Sequence, residues 1–352
     1  MKKILVLGYF GYKTNQLDGQ TVRTRSVYKM LENNCSQSST LSYFDIQEVK
    51  FDKFLVFTLL KKLWQADILV YLPAHNNLKY MFPIIFGISL IRNYLILCVA
   101  IGGWLPNYLK NKPIHRFMLK RINHIFTQVA TMQTKLEQDY GFKNIDTLPN
   151  FRIHNFMPQI GEEKSATLKL VFMARITKIK GYETVFELAD YIQNTKQNII
   201  IDFYGQINEI DKPNFLSLVE KYNFVTYQGC IEPQDVYSTL YKYDVMLLPT
   251  RYIGEGFPGT ILDSYISGIP VIVTNFPHAT QCVDNNINGY IIPFGSCINE
   301  LISKTMELYN DRDKLTQMKK NAYEKSKEYS EKKAWDVIQP FLNQKTKNNY
   351  VK

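Results

Sequence analysis

Short apolar runs, each closed by Gly or Pro and followed by a helix-spaced segment, recur along the whole chain. Residues 3–7, 68–72 and 94–100 are nearly continuous in Ile, Leu, Val and aromatics, and 124–129 is read as a further, less apolar strand. Runs of that length without polar alternation are expected of parallel strands covered on both faces. Between them, residues 20–33 place Val22, Val27, Met30 and Leu31 on one side of a helix, and residues 131–140 predict another. Residues 150–167 are polar and lack any period. The alternation then restarts, with strands at 169–174, 198–204, 225–228, 245–248 and 271–274 and helices at 182–193 and 233–242. Residues 297–333 are Lys-rich and helical in spacing, and Trp335, Val337, Ile338, Phe341 and Leu342 form a last amphipathic segment.

Strands alternating with helices predict an α/β fold of two Rossmann-like doubly wound domains. The expected division is 1–152, a linker at 153–168, a second domain at 169–330, and 331–352 as a helix crossing back to the first domain, then a basic tail. In such domains ligands gather outside the carboxyl ends of the strands. The one stretch that invites a membrane-spanning reading, 80–101, is interrupted by Arg92 and Asn93 and ended by Gly102-Gly103. It is read instead as a helix followed by a strand, since a span needs about 20 apolar residues.

A length of 352 residues suits two cores, and a hydrophobic share of 45% fits a globular protein. Charge adds something the pattern does not show. The net charge is +10, and residues 1–150 carry 19 Lys and Arg against 9 Asp and Glu, whereas residues 151–352 carry 23 of each. The first half therefore favours an anionic partner: a phospholipid surface or a lipid-linked pyrophosphate. Nucleic acid is not expected, because no zinc-finger, helix-turn-helix or RRM signature occurs. Residues 108–122, with Lys and Arg beside Phe117, Met118, Leu119 and Ile122, read as an interfacial helix for anionic membrane. The five cysteines are widely spaced and form no Cys-x-x-Cys pair, which suggests reduced thiols of a cytoplasmic protein. His115, His124, His154 and His278 have no metal-ligand spacing, so no metal is expected.

Candidate chemistry concentrates at strand ends of the second half. Arg175 and Lys180 follow the first strand there, where a diphosphate could be neutralised as it leaves. Arg forks onto two oxygens and Lys adds a point charge. Gly205 and the Gly229-Cys230-Ile231 turn close the next two strands. After the strand at 245–248, Glu255 opens a turn through Gly256, Phe257, Pro258, Gly259 and Thr260, and Asp263 falls one to two turns into the following helix. The amides starting that helix can hold phosphate or sugar oxygens without a metal.

The order Arg175, Lys180-Gly, Gly205, Gly229, Asp244 to Thr250, Glu255-Gly-Phe, Asp263 and Ser267-Gly-Ile-Pro resembles the group 1 (family 4) retaining glycosyltransferases. The resemblance covers about residues 169–295 and implies GT-B architecture, two Rossmann-like domains facing across a cleft. It implies that Arg175 and Lys180 bind the diphosphate of a nucleotide-sugar donor, Glu255 the donor sugar and Asp263 the ribose, with Gly229 to Ile231 flanking the base. It also implies that Gly19 and Gln20, in the loop after strand one, face the donor phosphate, and that His75 contacts the donor sugar or acceptor. Gly102-Gly103-Trp104 is a further candidate for the acceptor wall. Asp263 stands where the family usually has Glu, Pro258-Gly259 replaces the commoner Gly-x, and Gln281 falls where a further Glu is common.

The expected function is transfer of a sugar to a hydroxyl of a glycan or lipid-linked saccharide in surface polysaccharide biosynthesis, without cofactor, at the inner face of the cell membrane. A nucleotide-sugar epimerase and a non-catalytic nucleotide-sugar-binding module are the alternatives.

Overall fold

The computed structural model describes residues 1–14, 16, 18–36, 39–161 and 165–343. The expected basic tail beyond 343 and linker residues 162–164 lie outside the described residues. Two compact units are present, Met1–Ile153 with the chain from Tyr329 onward, and His154–Glu328.

The first unit is built on six parallel strands: β1 (Lys2–Gly8), β2 (Ser39–Asp45), β3 (Ile68–Leu72), β4 (Leu95–Val99), β5 (His124–Thr127) and β6 (Ile145–Thr147). Their spatial order is β2-β1-β3-β4-β5-β6. Helices α1 (Gly19–Asn34), α2 (Leu55–Gln65), α3 (His75–Tyr80), α4 (Phe82–Arg92), α5 (Leu105–Leu109), α6 (Pro113–Arg121) and α7 (Ala130–Tyr140) connect them. Crossovers between parallel strands are right-handed. Because the chain steps left from β1 to β2 and then right for the rest, α1 lies on one face of the sheet and α2, α4 and α6 on the other.

The second unit repeats the plan with β7 (Leu168–Met173), β8 (Ile199–Tyr204), β9 (Val225–Tyr227), β10 (Val245–Leu248), β11 (Val271–Thr274) and β12 (Gly289–Ile292), all parallel. The order is β12-β11-β10-β7-β8-β9, so the sheet reverses direction between β7 and β10. Helices α8 (Tyr182–Thr195), α9 (Lys212–Glu220), α10 (Val236–Leu240), α11 (Gly259–Ile266), α12 (Ala279–Cys282), α13 (Ile298–Asn310) and α14 (Arg312–Ser326) flank it. Both sheets are thus doubly wound, as the alternation of patterns predicts.

The final helix, α15 (Glu331–Leu342), belongs to the first unit. Ala334, Ile338 and Leu342 enter the same core as Val27, Met30 and Leu31 of α1, and Phe341 packs 5.2 Å from the Phe126 ring. One expectation needs correction. Residues 108–122 are not a single interfacial helix: the chain breaks between α5 and α6, and Met118, Leu119 and Ile122 are buried. Of the four apolar residues that suggested a membrane face there, Phe117 alone is exposed. The other three are withdrawn into the interior of the first unit.

Candidate functional site

A doubly wound sheet opens a crevice where neighbouring strands send their chains to opposite faces. In the second unit that point lies between β7 and β10, and the two loops leaving it hold Arg175–Gly181 and Thr250–Thr260. Residues 75 positions apart in sequence meet there: Lys180 Nζ donates to Glu255 Oε1, forming an ion pair. Glu255 is 7% exposed. A carboxylate so withdrawn from water needs partners, and it has a second one, the Thr250 hydroxyl, 3.1 Å from Oε1. Thr250 is itself fixed, accepting from the Tyr252 amide at 3.2 Å while its carbonyl accepts from Thr274 Oγ1 on β11. Lys180 Nζ also lies 5.6 Å from the Tyr252 ring centre.

Tight backbone geometry brings the loops together. Gly181 has φ +88°, and a Cβ there would sit 2.0 Å from the Pro249 carbonyl oxygen. Gly205, at φ +132°, would place a Cβ 1.9 Å from the Ala174 oxygen. Only glycine allows these approaches, so the chain after β8 closes directly onto the chain after β7. The Gly205 amide then donates to the Gly229 carbonyl at 2.8 Å, linking the third loop.

Arg175 is exposed just beyond β7 and, among the described residues, makes no hydrogen bond or ion pair with its side chain. It is a cation free to meet a ligand. Helix α11 begins after Pro258, with no side chain capping its first amides and no acid in its first turn. Asp263 is 8% exposed and Phe257 is buried. Burial, with the nearby Glu255 carboxylate as a lesser cause, pushes the Cys282 thiol well above its ordinary range. Cys282 therefore stays protonated and packs as a small apolar group. Cys230 is exposed at its turn, beside the partly exposed Ile231, and Gln281 lies in α12.

The first unit's reversal point, between β1 and β3, differs in kind. Asp18 caps α1, its Oδ1 accepting from the Gln20 and Thr21 amides at 3.0 Å each. Gln20 Nε2 donates to the Leu72 carbonyl, and Asp45 accepts from the Phe10 and Gly11 amides. Gly19 opens α1 with nothing near its Cβ position. His75 begins α3 and stands 4.7 Å from the Tyr108 ring and 5.4 Å from that of Trp104. Among the described residues, no group of His, Cys, Asp and Glu comes together that could hold a metal ion.

Sequence reasoning missed Thr250 and Tyr252, the side chains that steady the Lys180–Glu255 pair. Thr250 is the last residue before the Gly-rich turn, and a hydroxyl at a strand end beside an acid was the available signal.

Two tandem Rossmann-like domains, with cations after the first strand of the second and a buried carboxylate after the fourth, define a protein of the GT-B type. Residues 155–325, nearly all of the second unit, match the family model "Glycosyl transferases group 1". The capsular polysaccharide biosynthesis glycosyltransferase CapM of Staphylococcus aureus is 24% identical over 176 residues, 49% of this chain and 45% of CapM. The O-antigen biosynthesis glycosyltransferase WclY of Escherichia coli is 32% identical over 136 residues, 37% of this chain and 35% of WclY. The chain spans less than half the length of these curated relatives. HepE of Anabaena, crystallised with UDP and glucose, superposes with a TM-score of 0.72 at 12% identity, over 97% of this chain and 99% of HepE. That likeness concerns the fold.

Proposed function

We propose that the chain is a retaining, family 4 glycosyltransferase that moves a sugar from a nucleotide-sugar donor to a hydroxyl of a glycan or lipid-linked saccharide. The observation that carries this reading is the Lys180–Glu255 pair at the β7/β10 reversal, together with Arg175, whose side chain has no partner among the described residues, and the uncapped start of α11. An anion entering there meets two cations and free amides in a partly dry site, where each interaction counts for more than in water.

In this reading the acceptor hydroxyl oxygen bonds to the anomeric carbon while the carbon–oxygen bond to the diphosphate breaks. The nucleoside diphosphate departs with the electron pair, and its phosphate oxygen takes the acceptor proton on the same face. Arg175 and Lys180 balance the developing negative charge, and this supports a reaction without metal or cofactor. Glu255 holds the donor sugar's hydroxyls, Asp263 the ribose, and Gly229, Cys230 and Ile231 flank the base. Backbone amides of Gly256, Phe257, Gly259 and Thr260 meet phosphate or sugar oxygens, with Pro258 setting the turn. In the first unit, the Gly19 amide remains for a donor phosphate, since those of Gln20 and Thr21 are already held by Asp18. His75, with Trp104 and Tyr108, offers an aromatic edge suited to a sugar ring.

Surface polysaccharide assembly is the proposed setting, by likeness to CapM and WclY. Five free thiols and a nucleotide-sugar substrate favour the cytoplasm. The test is direct. Nucleotide sugars are screened for thermal stabilisation, and the product of the stabilising donor with saccharide acceptors is examined by NMR. The expected product keeps the donor's anomeric configuration. Inversion would overturn the retaining mechanism, and absence of donor binding would overturn the whole reading.

A further inference from the structure

Helices α2, α4 and α6 lie side by side, α2 packed on α4 and α4 on α6. Each already fills the core with one stripe: Leu59 and Leu63, then Phe82, Ile85 and Phe86, then Met118 and Leu119 are buried. Each also carries a second apolar stripe on the side away from the sheet. Phe54 and Phe57 are 78% and 69% exposed, and Trp64 continues their line along α2. Ile84 and Ile91, seven apart on α4, and Phe117 on α6 extend it across the three helices. Among the described residues, 12 of the 24 exposed large apolar side chains fall within residues 51–117. Scattered apolar exposure is ordinary, but a contiguous patch marks a docking surface.

Charge identifies the occupant. Residues 51–121 hold ten Lys and Arg against two acids, Asp52 and Asp67. The cations stand beside the aromatics: Arg92 lies 5.5 Å from the Trp64 ring centre, and Arg121 lies 4.1 Å from that of Phe117. A second copy of this face would set like charges against each other. We infer that the α2–α4–α6 face docks on an anionic lipid bilayer, its outer aromatics entering the headgroup region and its Lys and Arg meeting lipid phosphates. Among the described residues no helix is long and apolar enough to cross a membrane, so this is contact from one side.

The inference stands apart from the catalytic reading and is tested apart from it. The full-length protein is sedimented with phosphatidylcholine vesicles, with and without about one third phosphatidylglycerol. Binding to the anionic vesicles is expected, weakened but not abolished by salt because apolar insertion persists. Combined Phe54→Ser, Phe57→Ser and Trp64→Ser should weaken it about tenfold or more, with thermal unfolding unchanged. Combined Lys61→Glu and Arg121→Glu, at exposed positions, should weaken it by a route that leaves the apolar stripe intact. Nucleotide-sugar stabilisation, measured on the same variants, should be retained. The inference falls if anionic vesicles are not bound, or if both variants bind as the parent does. It falls equally if sedimentation equilibrium shows a dimer that the triple variant abolishes.

Discussion

The two units share a winding plan, yet their reversal points are prepared in opposite ways. In the first, apart from the Gly19 amide, those that could receive an anion are occupied by the protein's own carboxylates, Asp18 at the start of α1 and Asp45 at Phe10 and Gly11. In the second, α11 starts uncapped, and Arg175 extends from the end of β7 without an intramolecular side-chain partner among the described residues. A buried acid there, Glu255, is held by Lys180 and Thr250 rather than by helix amides. The same topology therefore yields one crevice largely satisfied from within and one poised for a negatively charged ligand. Fold alone does not separate them, and the placement of a few charges does.

The largest effect should come from breaking the Lys180–Glu255 pair. Lys180→Ala leaves Glu255 buried without its cation, which costs about 3 kcal/mol when a buried pair loses one member. Sugar transfer should also fall about 100-fold or more, the usual scale for a lost transition-state charge contact. Urea unfolding and steady-state kinetics read the two effects. Lys180→Met combined with Glu255→Leu separates them, since it removes both charges. It should regain most of the stability and none of the activity. Regained activity would mean that the pair is structural only.

Glycine substitutions sharpen the same contrast between a site held by close approach and one that is not. Gly205→Ala forces a Cβ against the Ala174 carbonyl at a φ that L-residues avoid, and should cost about 3 kcal/mol or more. Gly229 also has a positive φ, +81°, but nothing lies within 4 Å of its Cβ position. Gly229→Ala should therefore cost only about 1 kcal/mol, the backbone term alone. Equal losses in denaturant unfolding would show that the Gly205 contact is not what fixes the loop.

Much of this was legible in the sequence, and the failures have separate physical causes. The central strands β1, β3, β4, β7, β8, β10 and β11 announce themselves as apolar runs because helices cover both faces. Of the four edge strands, β9 was read at 225–228, whereas β2, β6 and β12 were not. Residues 39–45 read Ser-Thr-Leu-Ser-Tyr-Phe-Asp, half-exposed and paired only with β1, so no buried run exists to detect. Arg175, Lys180 and Glu255 could be picked out by their place after strands. Their meeting could not, because it depends on β7 adjoining β10, a fact of sheet order. Thr250 is different: its bond to Glu255 is local to one loop, and a hydroxyl at the strand end before an acid was a signal left unused. The outer stripe of α2 was missed because the sequence reading assigned no helix to residues 55–65, so its apolar positions were never placed on faces.

A smaller effect tests whether the first unit's crevice is closed by its cap. Asp18→Ala removes the capping box of α1 and should cost about 1 kcal/mol. It also frees the Gln20 and Thr21 amides. Inorganic phosphate should then raise the melting temperature of the variant more than that of the parent, because an anion now has somewhere to bind. An identical phosphate response in both proteins would mean that Asp18 does not keep anions out.

The smallest perturbation is chemical labelling, which leaves the fold untouched. Of the five free thiols, Cys230 is exposed, Cys35 is intermediate, and Cys98, Cys282 and Cys297 are buried. Burial pushes the Cys98 thiol up to about 12, so at pH 8 it carries essentially no reactive thiolate. Iodoacetamide at pH 8 should therefore modify Cys230 first, as read by peptide mass spectrometry. If the Gly229–Ile231 turn flanks the donor base, a saturating nucleoside diphosphate should slow that labelling about tenfold and leave Cys35 unaffected. Unchanged labelling of Cys230 at saturating nucleotide would remove the base from that turn; Cys35, at the far end of α1 from the first crevice, serves as the control.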